Sequence, residues 1–199
     1  MTASPFSFDN PIFLALNFDG GVAVDRLMWL FSAKAVWAPL YLFFLWLIWR
    51  KWGWRYTLVV LLSVLVGVVA GDQICNFFKD TFQVPRPNRV AELKESIHLV
   101  WDPIKERFYT GGHYGTVSAH AATTMSIYLI IGHALRDKRA YWWLMGVWVV
   151  MVGLSRIYMA AHFPSQVLFG WVLGALLSVA ILWLVNRPFV TKRIVRNTK

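Results

Sequence analysis

The sequence predicts an all-α fold, a polytopic membrane helix bundle of about five spanning helices preceded by a short interfacial helix. Three observations carry this. Hydrophobic residues make up 58% of the 199 positions, aromatics 17% and charged residues only 15%, more apolar than a soluble chain can hide. The apolar residues fall in runs close to the ~20 that a spanning helix needs. Only one long polar segment interrupts them, so a single domain covering residues 1–199 is expected. The lone Cys75 excludes an internal disulfide, and its apolar neighbours mark it as a packed thiol.

In chain order, the stretch before residue 26 carries Asp9, Asp19 and Asp25 and lacks the pattern of a cleaved signal, so it is expected to stay on the protein. Residues 10–18 are apolar but too short to cross. With Asn10 as cap and Pro11 at the first helical position, they predict a short helix lying in the interface. A first span is expected over residues 27–49, interrupted by Lys34 and Pro39, and a second over residues 56–78. Residues 79–117 hold Pro85, Pro87, Pro103 and the turn signals Gly111, Gly112 and Gly115, which predict a loop with functional content. Further spans are expected over residues 118–135, 141–154 and 164–185, the last opened by Pro164.

Charge orients the bundle. Arg50, Lys51, Arg55, Arg136, Lys138, Arg139, Arg187, Lys192, Arg193, Arg196 and Lys199 share one side with the single Asp137, a balance of +10 that equals the net charge of the chain. The positive-inside rule makes that side cytoplasmic and the long loop external. Basic residues in short inter-span turns do not form the solvated face that nucleic acid requires, so no nucleic-acid partner is expected. The twelve Trp residues crowd the ends of the spans, where they anchor.

Three polar clusters sit at the outer ends of the spans. Lys79 lies six residues before Arg86-Pro87; Val117-Ser118-Ala119-His120 opens a span; and Ser155-Arg156 closes one, with His162 and Gln166 following. Taken singly these are ordinary, since a terminal Lys snorkels and a Ser caps. Together they place an ammonium, two guanidiniums, two imidazoles and helix N-termini on one face, a set suited to an anion. Charge at membrane depth is costly without a function.

The clusters resemble the three-part pattern of the type 2 phosphatidic acid phosphatase superfamily, K-x6-R-P, P-S-G-H and S-R-x5-H-x3-D. That superfamily also includes glucose-6-phosphatases and vanadium haloperoxidases. The resemblance covers residues 79–166. It departs at Val117 for Pro, Ala119 for Gly and Gln166 for Asp. It implies that His162 is the nucleophile forming a phosphohistidine and His120 the general acid. Lys79, Arg86, Ser118, Ala119 and Arg156 would bind phosphate, and Gln166 and Ser155 would orient, with no metal and no cofactor. The implied activity is hydrolysis of a lipid phosphate or diphosphate at the outer membrane face, by an enzyme of the bacterial inner membrane facing the periplasm or exterior. Undecaprenyl diphosphate, phosphatidylglycerol phosphate, phosphatidic acid and lipid A phosphates are the substrate candidates. A lipid phosphotransferase and an anion or lipid transporter are the alternatives, though no internal repeat favours transport. At ~1.5 Å per residue Lys34 and Asp72 lie at similar depth, which predicts an ion pair supporting Lys79.

Overall fold

A computed structural model describes residue 6 and residues 8–186, and its elements are α1 Asp9–Leu16, α2 Gly21–Ser32, α3 Ala38–Trp52, α4 Trp54–Phe82, β1 Trp101–Asp102, β2 Arg107–Phe108, α5 Ala119–Ala134, α6 Arg139–Tyr158 and α7 Pro164–Val185. The basic tail residues Arg187, Lys192, Arg193, Arg196 and Lys199 lie outside the described residues.

Helix α5 is the axis of the bundle and packs on α4, α6 and α7. It is rich in small residues and in Ile, and most of its residues are buried. The partner helices supply the complementary shape. A Cβ placed at Gly170 would lie 2.5 Å from the Ser118 carbonyl oxygen, and one at Gly174 would lie 2.3 Å from that of Ala122. Small residues let two backbones approach where lipid offers no hydrophobic gain from association. Around this contact, the Phe44, Tyr141, Met145 and Trp148 side chains close the core at one end. Phe13, Phe163 and Val167 close it at the other.

By length and composition α4, α6 and α7 are each able to cross a membrane, and α2 with the segment Lys34–Trp52 forms a further pair bent by 70°. Helix α5 has 16 residues, shorter than the ~20 of a simple crossing, and gains its burial from protein rather than lipid. The span expected over residues 27–49 with interruptions at Lys34 and Pro39 is therefore broken into two helices. The cause is local. Ala33 takes an extended conformation (ψ 105°), a tight helical turn covers Lys34–Trp37, and Pro39 starts the next helix, where its missing N–H costs nothing. Trp37 Nε1 spans the break by donating to the Phe31 carbonyl at 3.2 Å.

The short N-terminal helix begins at Asp9 rather than being capped by Asn10, and it is tied into the fold more tightly than an interfacial helix requires. Phe13 is fully buried against the Phe163 ring, with centroids 5.5 Å apart. The Asp9 carboxylate accepts from the Ser165 N–H at 2.9 Å and the Ser165 hydroxyl at 2.5 Å, so α1 caps the start of α7.

The two basic turns meet at one end of the bundle. Lys51 bonds Asp137, and Trp52 Nε1 donates to the Ala134 carbonyl at 3.0 Å. Asn186 at the close of α7 reaches His133 at the same end. The segment of residues 83–118 covers the opposite end.

Candidate active site

The site forms where the α6–α7 connection, the start of α5 and the loop after α4 converge. Helix α6 ends in a tight turn in which the Arg156 carbonyl accepts both the Ala161 and His162 N–H groups, at 3.0 and 3.1 Å. Ala160 turns the chain with φ 50°, a conformation uncommon outside glycine. This turn buries His162 against the segment Gly115–Ser118.

The His162 ring is fixed by two acceptors. Its Nδ1 lies 3.0 Å from the Gly115 carbonyl oxygen and 3.0 Å from Gln166 Oε1. Gln166 Oε1 also accepts the Phe163 N–H at 3.3 Å, which fixes which end of the amide is oxygen. With two acceptors facing it, Nδ1 carries the proton and Nε2 keeps its lone pair. Gly115 makes this approach possible, since a Cβ there would stand 2.9 Å from Gln166 Oε1 and 3.3 Å from Nδ1. Burial, then the charges of Arg86 and Arg156, hold the His162 imidazole well below its ordinary pKa, against the smaller opposing effect of its Gln166 and Gly115 bonds. The ring is neutral at neutral pH.

Two guanidiniums flank it. Arg86 is aimed by three main-chain bonds: its N–H donates to the His113 carbonyl, Nε to the Tyr114 carbonyl and Nη1 to the Ala161 carbonyl. Arg156, 1% exposed, donates through Nη1 to the Ser32 hydroxyl and through Nη2 to the Tyr109 hydroxyl, and its Nε has no partner among the described residues. Gln166 Nε2 and Thr116 Oγ1 are likewise buried without a partner. An unsatisfied buried donor on an arginine costs free energy unless a ligand completes it.

The remaining expected residues are placed as follows. Lys79, on the last turns of α4, donates to Asn76 Oδ1 at 3.0 Å, and Asn76 Nδ2 donates to Asp72 at 3.2 Å, so Asp72 steadies Lys79 through an amide. The expected Lys34–Asp72 ion pair is not formed. The break between α2 and α3 turns Lys34 instead toward a small cavity that it shares with Ser32, Thr123, Trp148 and His120. His120 is half-buried on the first turn of α5, within electrostatic reach of Arg156, Lys34 and His162.

Hydrogen bonding narrows two of the expected roles. The Ser118 N–H is taken by the Gln166 carbonyl at 3.0 Å, and its hydroxyl caps the Ala121 N–H. The donors left free at the start of α5 are therefore the Ser118 hydroxyl proton and the N–H groups of Ala119 and His120. Ser155, fully buried, donates its hydroxyl to the Val152 carbonyl at 2.7 Å and so bonds its own helix rather than a neighbour. Tyr109, Ser32 and the Gly115 carbonyl belong to the site without matching any motif. The glycine cluster at 111–115 pointed only to the loop that brings the Gly115 carbonyl in, and nothing in the sequence marked Ser32 or Tyr109.

Beside the site an apolar groove of about 570 Å³ runs between the end of α4 and the outer surface of α7. Val117 and Gln166 stand at one end, and Phe78, Phe169, Leu173 and Leu176 continue it.

The family model of the PAP2 superfamily matches residues 52–189, which hold every one of these motif residues. The chain belongs to the PAP2 superfamily. A lipid A 4'-phosphatase of Porphyromonas gingivalis is 30% identical over 82% of this chain, which spans 66% of that relative's length. Two solved PAP2-like folds superpose at 20% identity. The Aquifex aeolicus LpxE structure has a TM-score of 0.67 and covers 92% of this chain and 99% of its own. A transmembrane PAP2-type phosphatidylglycerolphosphate phosphatase from Bacillus subtilis has a TM-score of 0.66, with 91% and 87% covered. At this identity they establish the PAP2 fold alone.

Proposed function

We propose that this PAP2 protein hydrolyses a phosphate monoester carried by a membrane lipid, through a phosphohistidine on His162, at the outer face of a bacterial inner membrane. The observation that supports this best is the His162 ring, neutral and locked with Nδ1 protonated, so that Nε2 is the nucleophile, between two guanidiniums one of which has a buried unpaired N–H.

The first step forms a bond between Nε2 and phosphorus as the bond from phosphorus to the lipid oxygen breaks; His120, protonated as the entering phosphate brings negative charge beside it and offsets the surrounding cations, gives that proton to the leaving oxygen. In the second, the now neutral His120 takes a proton from water as the water oxygen attacks phosphorus and the Nε2–phosphorus bond breaks. Inorganic phosphate leaves and His162 is regenerated. Arg86, Arg156, Lys79 and the N–H groups at the start of α5 stabilise the equatorial oxygens, whose charge is greatest in the transition state. The apolar groove beside Gln166 is where a chain of the lipid remains while its phosphate enters.

The name of the Porphyromonas relative favours a lipid A phosphate as substrate over undecaprenyl diphosphate or phosphatidylglycerol phosphate. The deciding experiment presents these lipids to detergent-solubilised protein and counts released phosphate. Release from lipid A exceeding the others, and its loss in His162→Ala by at least about a thousandfold, is the expected result. Release by His162→Ala at the parent rate would remove the nucleophile from the scheme.

A further inference from the structure

Tyr109 lies outside all three motifs, yet it stands at the centre of the cationic site. Its backbone N–H is anchored to the Val100 carbonyl at 2.9 Å behind the β1–β2 hairpin, which fixes the main chain from which the ring projects. The ring lies beneath the Arg156 guanidinium, 5.0 Å from its centroid, and Arg156 Nη2 donates to the phenol oxygen. Arg86 approaches from the other side across Gly111. A Cβ at Gly111 would stand 2.8 Å from Arg86 Nη1 and 3.3 Å from the Tyr109 hydroxyl, and Gly111 itself has φ 59°. Glycine is thus required there both by conformation and by space.

The hydroxyl oxygen accepts from a guanidinium and lies beside another, so it occupies the position that suits an anionic oxygen. Arginine donates and never accepts, so neither guanidinium can take the phenol proton. The proton is available to a ligand. We infer that Tyr109 is a substrate-binding residue, which gives this proton as a hydrogen bond to a non-bridging oxygen of the phosphoryl group while Arg86 and Arg156 hold that group on either side. This inference rests on the phosphatase reading and adds a neutral donor to its cationic set.

The electrostatics agree with the geometry. Burial alone would raise the Tyr109 pKa, but Arg156, through charge and hydrogen bond, then Arg86 and Lys105, lower it below the ordinary phenol value. A more acidic phenol is a stronger donor while it keeps its proton. Above its pKa, the phenolate has no proton to give and neutralises one guanidinium. Phosphate binding that depends on Tyr109 should therefore be present below the lowered phenol pKa and lost above it.

The test uses the full-length protein in detergent, with inorganic phosphate as ligand and its concentration-dependent rise in unfolding temperature as the readout. Tyr109→Phe keeps the ring under Arg156 and removes only the hydroxyl; Tyr109→Leu removes both. At pH 7.5 the Phe variant should need at least about tenfold more phosphate than the parent for the same stabilisation, the factor carried by one hydrogen bond to a charged group. In the lipid assay its KM should rise by a similar factor, with kcat changed less. As pH rises through the phenol pKa, the parent should converge on the Phe variant, which a purely structural ring would not produce. Should the Phe variant fail to fold, loss of phosphate stabilisation by the parent over that same alkaline range decides.

A Phe variant that binds phosphate as the parent does, with only the Leu variant impaired, would reduce Tyr109 to a stacking platform and overturn the inference. Tighter binding by Phe would make the phenol a competitor of phosphate and overturn it as well. If the parent releases phosphate from lipid while Phe matches it, the phosphatase reading stands and this one falls. A parent that neither binds phosphate nor releases it removes both.

Discussion

One amide oxygen, Gln166 Oε1, serves both the Phe163 N–H and His162 Nδ1, where the family pattern has a carboxylate. Replacing Gln166 with Leu removes that acceptor but leaves the Gly115 carbonyl at 3.0 Å, so the ring keeps its tautomer with a weaker hold. Phosphate release by Gln166→Leu should fall by about tenfold, close to the ~1 kcal/mol of one neutral hydrogen bond. A loss as complete as that of His162→Ala, in the same assay, would show that Gly115 does not hold the ring. Gln166→Asp should retain or raise the rate. It supplies an acceptor and a charge beside Arg86 and Arg156, and it removes the buried Nε2 group, which has no partner among the described residues. A drop below the Leu variant would show that the shorter side chain no longer reaches Nδ1. The charged and imidazole residues of this site were legible in the sequence because their types and spacings are distinctive. Tyr109 was not, since one phenol in a loop of varied residues has no period to mark it and is placed only by the hairpin behind it.

Among the elements, the break between α2 and α3 and the seam between α5 and α7 do most to build the site. Lys34 and Pro39 signalled an interruption of the first span, but the direction of the 70° bend is set by packing, which the sequence does not display. A straight helix would have put Lys34 on the same lipid-side level as Asp72. The bend instead delivers the Ser32 hydroxyl to Arg156 Nη1 and turns Lys34 toward the cavity it shares with His120. The seam is stricter. Gly174 faces the Ala122 carbonyl so closely that any side chain must push the two helices apart, and α5 carries His120 while α7 carries Gln166. Gly174→Val should lower stability by roughly 1–3 kcal/mol, the usual range for overpacking, and should reduce phosphate release in the protein that still folds. The unfolding temperature in detergent reads the first effect. An unchanged temperature would mean that the helices separate there without cost, and that the close approach is not part of what holds the site.

For the whole molecule, element order was legible from the apolar runs, and the four later helices fall close to the expected segments, whereas the burial of α5 reflects neighbours that only the folded chain brings together. The expected sidedness rests on charge and geometry in combination. The Lys51–Asp137 and Trp52–Ala134 contacts bring the turns at residues 50–55 and 136–139 to one end, so their cations act as one basic face, and the site residues lie at the other end. Among the described residues the two turns hold six cations, Arg50, Lys51, Arg55, Arg136, Lys138 and Arg139, against the single Asp137, while the other nine described cations are matched by nine acids, so the charge asymmetry of the described residues lies on the face away from the site. If that face is cytoplasmic, a phosphate reaches His162 from outside the cell membrane. With Cys75 replaced, single cysteines at Glu92 and Lys105 should react with an impermeant thiol reagent added to intact cells after any outer membrane has been made permeable. A cysteine at Lys138 should react only after lysis. Labelling of Lys138 alone in intact cells would turn the bundle over and bring the site to the cytoplasm, where its lipid phosphate would have to come from the inner leaflet.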